Sequence, residues 1–176
     1  MSLSKLTRRS LIAAALLPLI GCGYEPAFGP TGQSQALLNQ VSVPEARDKR
    51  QFDFNAQFER RLGHASDGTY ELAYSIKAVR EGVAIRVGGD VFRYNLVGTV
   101  NFSLNDAATG KKLVSSKVEG FTSYSVVFVD NAANPTSTSA TIASVAARED
   151  AEDRLMIILA DQVVTRLVAT SGTWAK

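Results

Sequence analysis

The chain has 176 residues, 19 of them Lys or Arg and 17 Asp or Glu, for a formal net charge of +2. Its 45% hydrophobic and 20% charged residues fit one globular domain and exclude a disordered chain. The single Cys and single His exclude an internal disulfide, a Cys-based zinc site and a His-rich metal centre.

Residues 1–21 read as an export signal. Lys5, Arg8 and Arg9 form a basic start, and Leu11 to Ile20 an apolar stretch too short to span a bilayer. Leu19-Ile20-Gly21-Cys22 resembles the bacterial lipobox, in which the Cys thiol takes a diacylglyceryl group and the new amino terminus is acylated. Cys22 is therefore the expected lipidation site, with palmitate as a typical acyl chain. Three fatty chains exceed what stable anchoring requires. Thr7-Arg8-Arg9-Ser10-Leu11 also fits a twin-arginine motif, so both export routes stay open. Once the signal is removed, 155 residues remain with 16 basic and 17 acidic side chains, a net charge of −1. The basicity belongs to the signal, and the electrostatic footprint of a nucleic-acid binder disappears. Residue 23 is Gly rather than the Asp of many inner-membrane lipoproteins, which points to a periplasm-facing place on the outer membrane.

Residues 22–36 contain Pro26, Gly29, Pro30 and Gly32 and read as a flexible tether. Leu37 to Val43 reads as a first strand ended by Pro44. Glu45 to Leu62 reads as an amphipathic helix, with Phe54, Phe58 and Leu62 on its apolar face, Phe52 and Ala56 beside them, and Gly63 as its stop. From Tyr70 to Ala78 the apolar residues alternate strictly. Arg80-Glu81-Gly82 marks a bulge or turn, and Val83, Ile85 and Val87 resume the alternation. Gly88-Gly89-Asp90 is a turn. Phe92 to Leu104 is a strand, Asn105 to Lys111 a hairpin loop, and Leu113 to Val127 a fourth strand weakened or bent at Gly120. Asp130 to Ser139 connects it to a long helix over Thr141 to Thr170, capped by Ser139 or Thr141. Its apolar face is expected to begin at Ile142, Val145 and Ala146, and Met156 to Ala160 to be buried on more than one side. Residues 171–176 read as a tail. The order β-α-β-β-β-α predicts an α+β two-layer sandwich over residues 37–170, two helices on one face of a four-stranded mixed sheet.

No enzyme signature accompanies this plan, and the expectation is a protein that is not an enzyme and carries no metal or cofactor. His64 precedes Ala65-Ser66-Asp67 without a nucleophile elbow. Glu149 and Asp153 lie between Arg148 and Arg154 and read as ion-paired. Val87-Gly88-Gly89-Asp90 lacks the spacing and Lys of a phosphate loop. Lys77, Arg80, Arg86, Arg93, Lys111, Lys112 and Lys117 fall in the sheet region. Such side chains either contact lipid phosphates and carboxylates or keep a sheet wet.

Three segments together resemble the LPS-assembly lipoprotein family LptE, in its alphaproteobacterial form. They are Gly21-Cys22-Gly23-Tyr24-Glu25-Pro26 to Phe28-Gly29-Pro30, Phe121 to Val127, and Ala146 to Leu155 followed by Leu159 to Gln162 and Thr165 to Leu167. The resemblance implies two helices on a four-stranded sheet. It also implies a complex in which the protein plugs and helps assemble the LptD β-barrel, and insertion of lipopolysaccharide into the outer leaflet. Lipopolysaccharide binding by basic residues of the sheet is implied too; Arg86 and Arg93, flanking the Gly88-Gly89 turn, are the expected binding residues. The alternative is an auxiliary lipoprotein of a lipid-transporting ABC system.

Overall fold

The computed structural model describes residue 29 and residues 32–126 and 142–175. Cys22, the signal, Val127, the connection over 130–139 and the expected caps Ser139 and Thr141 lie outside the described residues. Among those described, the elements are a 3-10 turn at Gln33–Ala36, β1 (Val41–Ser42), α1 (Lys49–Leu62), β2 (Tyr70–Ile85), β3 (Val91–Asp106), β4 (Lys112–Ser125) and α2 (Ile142–Ser171). The sheet order is β1-β2-β3-β4. β1 runs parallel to β2 and the other pairs are antiparallel. This is the mixed α+β sandwich the sequence predicts.

The first strand is much shorter than its apolar run. Leu37 N–H donates to Ser34 O, and Asn39 takes a left-handed φ of 56° while donating to Leu62 O at 2.7 Å. Asn tolerates that conformation better than other non-glycine residues. The chain therefore turns beneath the end of α1 and buries Leu37 from a turn, not a strand.

α1 starts four residues later than expected because Asp48 caps it. Asp48 has extended backbone, and its carboxylate accepts from Gln51 N–H at 2.8 Å. Phe54, Phe58 and Leu62 are fully buried, one turn apart. Phe52 is 64% exposed, since two residues from Phe54 is about half way round the helix. Gly63 ends the helix with φ 82°, and a Cβ there would lie 1.9 Å from Asn39 Oδ1.

The β2–β3 hairpin stays paired through Arg80-Glu81-Gly82, and of the two expectations there, bulge or turn, the bulge is the one found, with the register shifting between Gly82 and Ile85. The helix-facing rows, read across β2, β3 and β4, include Leu72–Leu104–Val114, Ile76–Val100–Val118 and Ala78–Gly98–Gly120. Over the last row α2 comes closest, and a Cβ on Gly98 would sit 2.7 Å from Leu159 Cδ1. Gly120 thus serves close helix approach rather than a weakened strand.

α2 buries Ala151, Leu155, Met156, Leu159, Ala160, Val163, Val164, Leu167 and Val168, a stripe of three- and four-residue steps. Ile157 is 40% exposed within the Met156–Ala160 segment. The expected apolar start at Ile142, Val145 and Ala146 is exposed instead, Ile142 by 90%. These first turns run past the aliphatic rows of the sheet and face the row Gly82–Tyr94–Tyr124 across an open cleft, so their apolar side chains stay exposed.

Polar contacts fix the helices to each other. Arg50 Nε meets Glu152 at 3.1 Å, Gln57 Nε2 donates to Asp161 Oδ1 at 2.9 Å, and Lys49 pairs with Asp53 and Asp153. The two carboxylates hold the Lys49 ammonium well above its usual range. Inside α2, Arg154 pairs with Asp150 at 3.1 Å, as its spacing predicts. Residues placed in the tether and the tail also pack: Ser171 Oγ donates to Gln33 O at 3.3 Å, and Trp174 meets Tyr70 edge-on at 5.4 Å.

Candidate functional site

Helices cover one sheet face, and among the described residues nothing covers the other, bare face. Between the register shifts at Gly82–Ile85 and Leu104–Asn105, odd-numbered residues of β2 to β4 fill the bare face. Most are small or polar, as in the row Ala73–Ser103–Ser115 and in Ser75–Asn101–Lys117. One row is apolar: Val79–Val97–Phe121 crosses three strands in register, with Val79 43% and Phe121 65% exposed. Charged rows flank it. Lys77–Thr99–Glu119 lies on one side, with Lys117 2.5 Å from Glu119, and Glu81–Asn95–Ser123 on the other. The hydrogen bond and charge of Lys117 hold the Glu119 carboxyl below its usual range.

The seven basic residues of the sheet region do not form one patch. Arg93 lies on the bare face, paired across strands with Ala84 and Ser125, its Nη2 3.4 Å from Ser123 Oγ. Arg86 opens the hairpin turn, where its N–H donates to Asp90 O at 2.9 Å and Gly88 and Gly89 have φ of 115° and 94°. The two expected residues thus share the turn end of one hairpin. Lys77 and Lys117 lie on the bare face, and Lys111 and Lys112 sit at the opposite end of the sheet.

Arg80 is on the other side. It continues the even-numbered, helix-facing set of β2, and its guanidinium carbon lies 4.7 Å from the Tyr94 ring centroid. The Tyr124 oxygen beside it, and Tyr94 less strongly, raise Arg80 further above its usual range. Tyr94 and Tyr124 stack at 5.6 Å. With Ser144 and Arg148 of α2 they line an open cleft of about 270 Å³. The sequence places Arg80 at the start of a bulge or turn, although strand parity from Tyr70 onward carries the signal that it faces inward.

His64 is exposed and lies 3.0 Å from Glu59, not against a nucleophile. Among the described residues there is no cluster of three metal-ligating side chains, and no helix is long and apolar enough to cross a membrane.

The same architecture occurs in solved bacterial lipoproteins. A protein from Caulobacter crescentus CB15 described as a lipoprotein superposes with a TM-score of 0.62 at 18% identity, over 82% of this chain and 99% of its own. Rare lipoprotein B from Shewanella oneidensis gives 0.54 at 16% identity, over 76% and 95%. Lipoprotein B from Nitrosomonas europaea gives 0.54 at 15%, over 76% and 84%. No curated protein sequence matches the chain. At these identities the likeness shows a shared fold. The sequence goes further: residues 38–167 match the profile of the LptE lipopolysaccharide-assembly family, and the chain belongs to that family. It is a lipopolysaccharide-assembly lipoprotein rather than a member of a known enzyme family.

Proposed function

We propose that the protein is an outer-membrane lipoprotein, held by an acylated Cys22, that seats in the lumen of the LptD β-barrel and assists its assembly and the insertion of lipopolysaccharide. The observation that carries this reading is the bare sheet face. A strand of 16 residues is about 50 Å long, so the face is a long surface. Its small polar side chains suit close approach by a barrel wall. The Val79–Val97–Phe121 row supplies the apolar centre that interfaces place inside a polar rim. The mature charge of −1 fits a plug, which needs complementary polar groups rather than one strong sign. Arg86 and Arg93, at the turn end, are the proposed lipopolysaccharide contacts.

The test is a photo-crosslinker at Val97 or Phe121 in intact cells, followed by recovery from solubilised outer membrane. The expected adduct contains the LptD barrel, and Phe121→Asp lowers its yield. An adduct with an inner-membrane transporter alone would overturn the reading. Cys22→Ala should abolish fatty-acid labelling; unchanged labelling would remove Cys22 as the anchor. Arg86→Glu with Arg93→Glu should weaken lipopolysaccharide binding with native circular dichroism.

A further inference from the structure

The cleft where α2 begins is lined by Arg80, Tyr94, Tyr124, Ser144 and Arg148, with Val91, Val126 and Val145 at its sides, and among the described residues no carboxylate lines it. Arg80 meets no carboxylate among the described residues, and the ion pair of Arg148 with Glu152, at 3.9 Å, is longer than a hydrogen bond. Two permanently charged guanidinium groups therefore border one space with donors to spare. At its floor Tyr124 is 6% exposed, and its hydroxyl is buried without a hydrogen bond of proper geometry. The Arg80 guanidinium beside it can only donate, so the proton of this hydroxyl has no acceptor among the described residues, which is rare for a buried group. Guanidinium forks and a phenol match the several acceptor oxygens of a phosphate better than the lone acceptor of a carbonyl. The cleft, at about 270 Å³, has room for the carbon to which a phosphate is esterified.

We propose that this cleft is a phosphate-binding site in which Arg80 and Arg148 hold the oxyanion and the Tyr124 hydroxyl donates to it. It is separate from Arg86, in the turn, and from Arg93, on the bare face. It stands independently of the barrel-plug reading. The phosphate is either free or the head group of a lipid.

The test uses the full-length acylated protein, ¹⁵N-labelled, in non-ionic detergent. Arginine Nε–Hε resonances are followed as sodium phosphate replaces sodium chloride at constant ionic strength. The signals lost in Arg80→Gln and Arg148→Gln should move saturably with phosphate and stay still in chloride. Each substitution should weaken phosphate binding by about tenfold or more, and Tyr124→Phe by about tenfold, with circular dichroism unchanged. A second arm measures co-sedimentation with phosphatidylcholine vesicles with and without phosphatidic acid. Extra binding to phosphatidic acid that Arg80→Gln removes assigns the site to a lipid head group. Saturable inorganic phosphate binding without that gain assigns it to free phosphate. No saturable shift, or equal weakening by Arg93→Gln, would overturn the proposal.

Discussion

Gly98→Ala tests how closely α2 lies on the sheet. The new methyl would sit 2.7 Å from Leu159 Cδ1 and 2.9 Å from Leu155 Cδ2. Carbon atoms rest about 3.5–4.0 Å apart, so the overlap approaches 1 Å. Both leucines are fully buried and have no open space to swing into. Relieving the overlap means shifting the helix or forcing rotamers, which costs about 1–3 kcal/mol. Backbone entropy alone argues the reverse sign, a gain of about 0.5–1 kcal/mol when Ala replaces Gly inside a strand. Urea unfolding followed by far-ultraviolet circular dichroism separates the two. With a slope of about 1–3 kcal/mol per molar, the midpoint should fall by roughly 1 M. Gly120→Ala, whose nearest neighbour is Ile158 Cγ2 at 3.0 Å on a half-buried side chain, should cost less. Leu159→Ala alone should cost about 2–5 kcal/mol. Combined with Gly98→Ala it should cost less than the sum, by about 0.5–3 kcal/mol. A Gly98→Ala protein as stable as the parent, or additive with Leu159→Ala, would refute the reasoning.

Asp48→Ala removes the cap of α1 and should lower stability by about 1 kcal/mol in the same assay. Asp153→Asn breaks the pair with Lys49, but both side chains are largely exposed, so the expected change is below about 1 kcal/mol. Burial raises Tyr74 from 10.0 to about 12, with Asp48 adding to the effect. The folded state therefore keeps this proton after the unfolded chain has lost it. Stability present below pH 10 should fall as pH rises towards 12, and Tyr74→Phe should flatten that part of the profile.

Regular periodicity was readable wherever packing repeats. Phe54, Phe58 and Leu62, and the alternation from Tyr70, needed only local geometry to place the core. The ends of elements were less readable, because they depend on partners distant in sequence. Leu37 is buried by a turn that Asn39 makes with Leu62, and Ile142 is bare because the aliphatic rows of the sheet stop short of it. Arg86 and Arg93 could be placed at the hairpin turn from the sequence. Arg80 could be joined to Arg148 only once the antiparallel register brought Tyr94 and Tyr124 beneath α2.

The covering of the sheet comes last in the chain. β2, β3 and β4 form a meander whose pairings are local, yet most of the apolar surface over them belongs to residues 151–168. α1 also finds its polar partners there: Arg50 with Glu152 is separated by 102 residues, and Gln57 with Asp161 by 104. Any process that delivers this chain amino end first, synthesis or translocation alike, releases a sheet whose greasy face stays wet until the final helix emerges. Closing such distant contacts is slow relative to hairpin formation. The uncovered sheet is open to aggregation during that interval, and truncation within the last two turns of α2 should prolong its exposure.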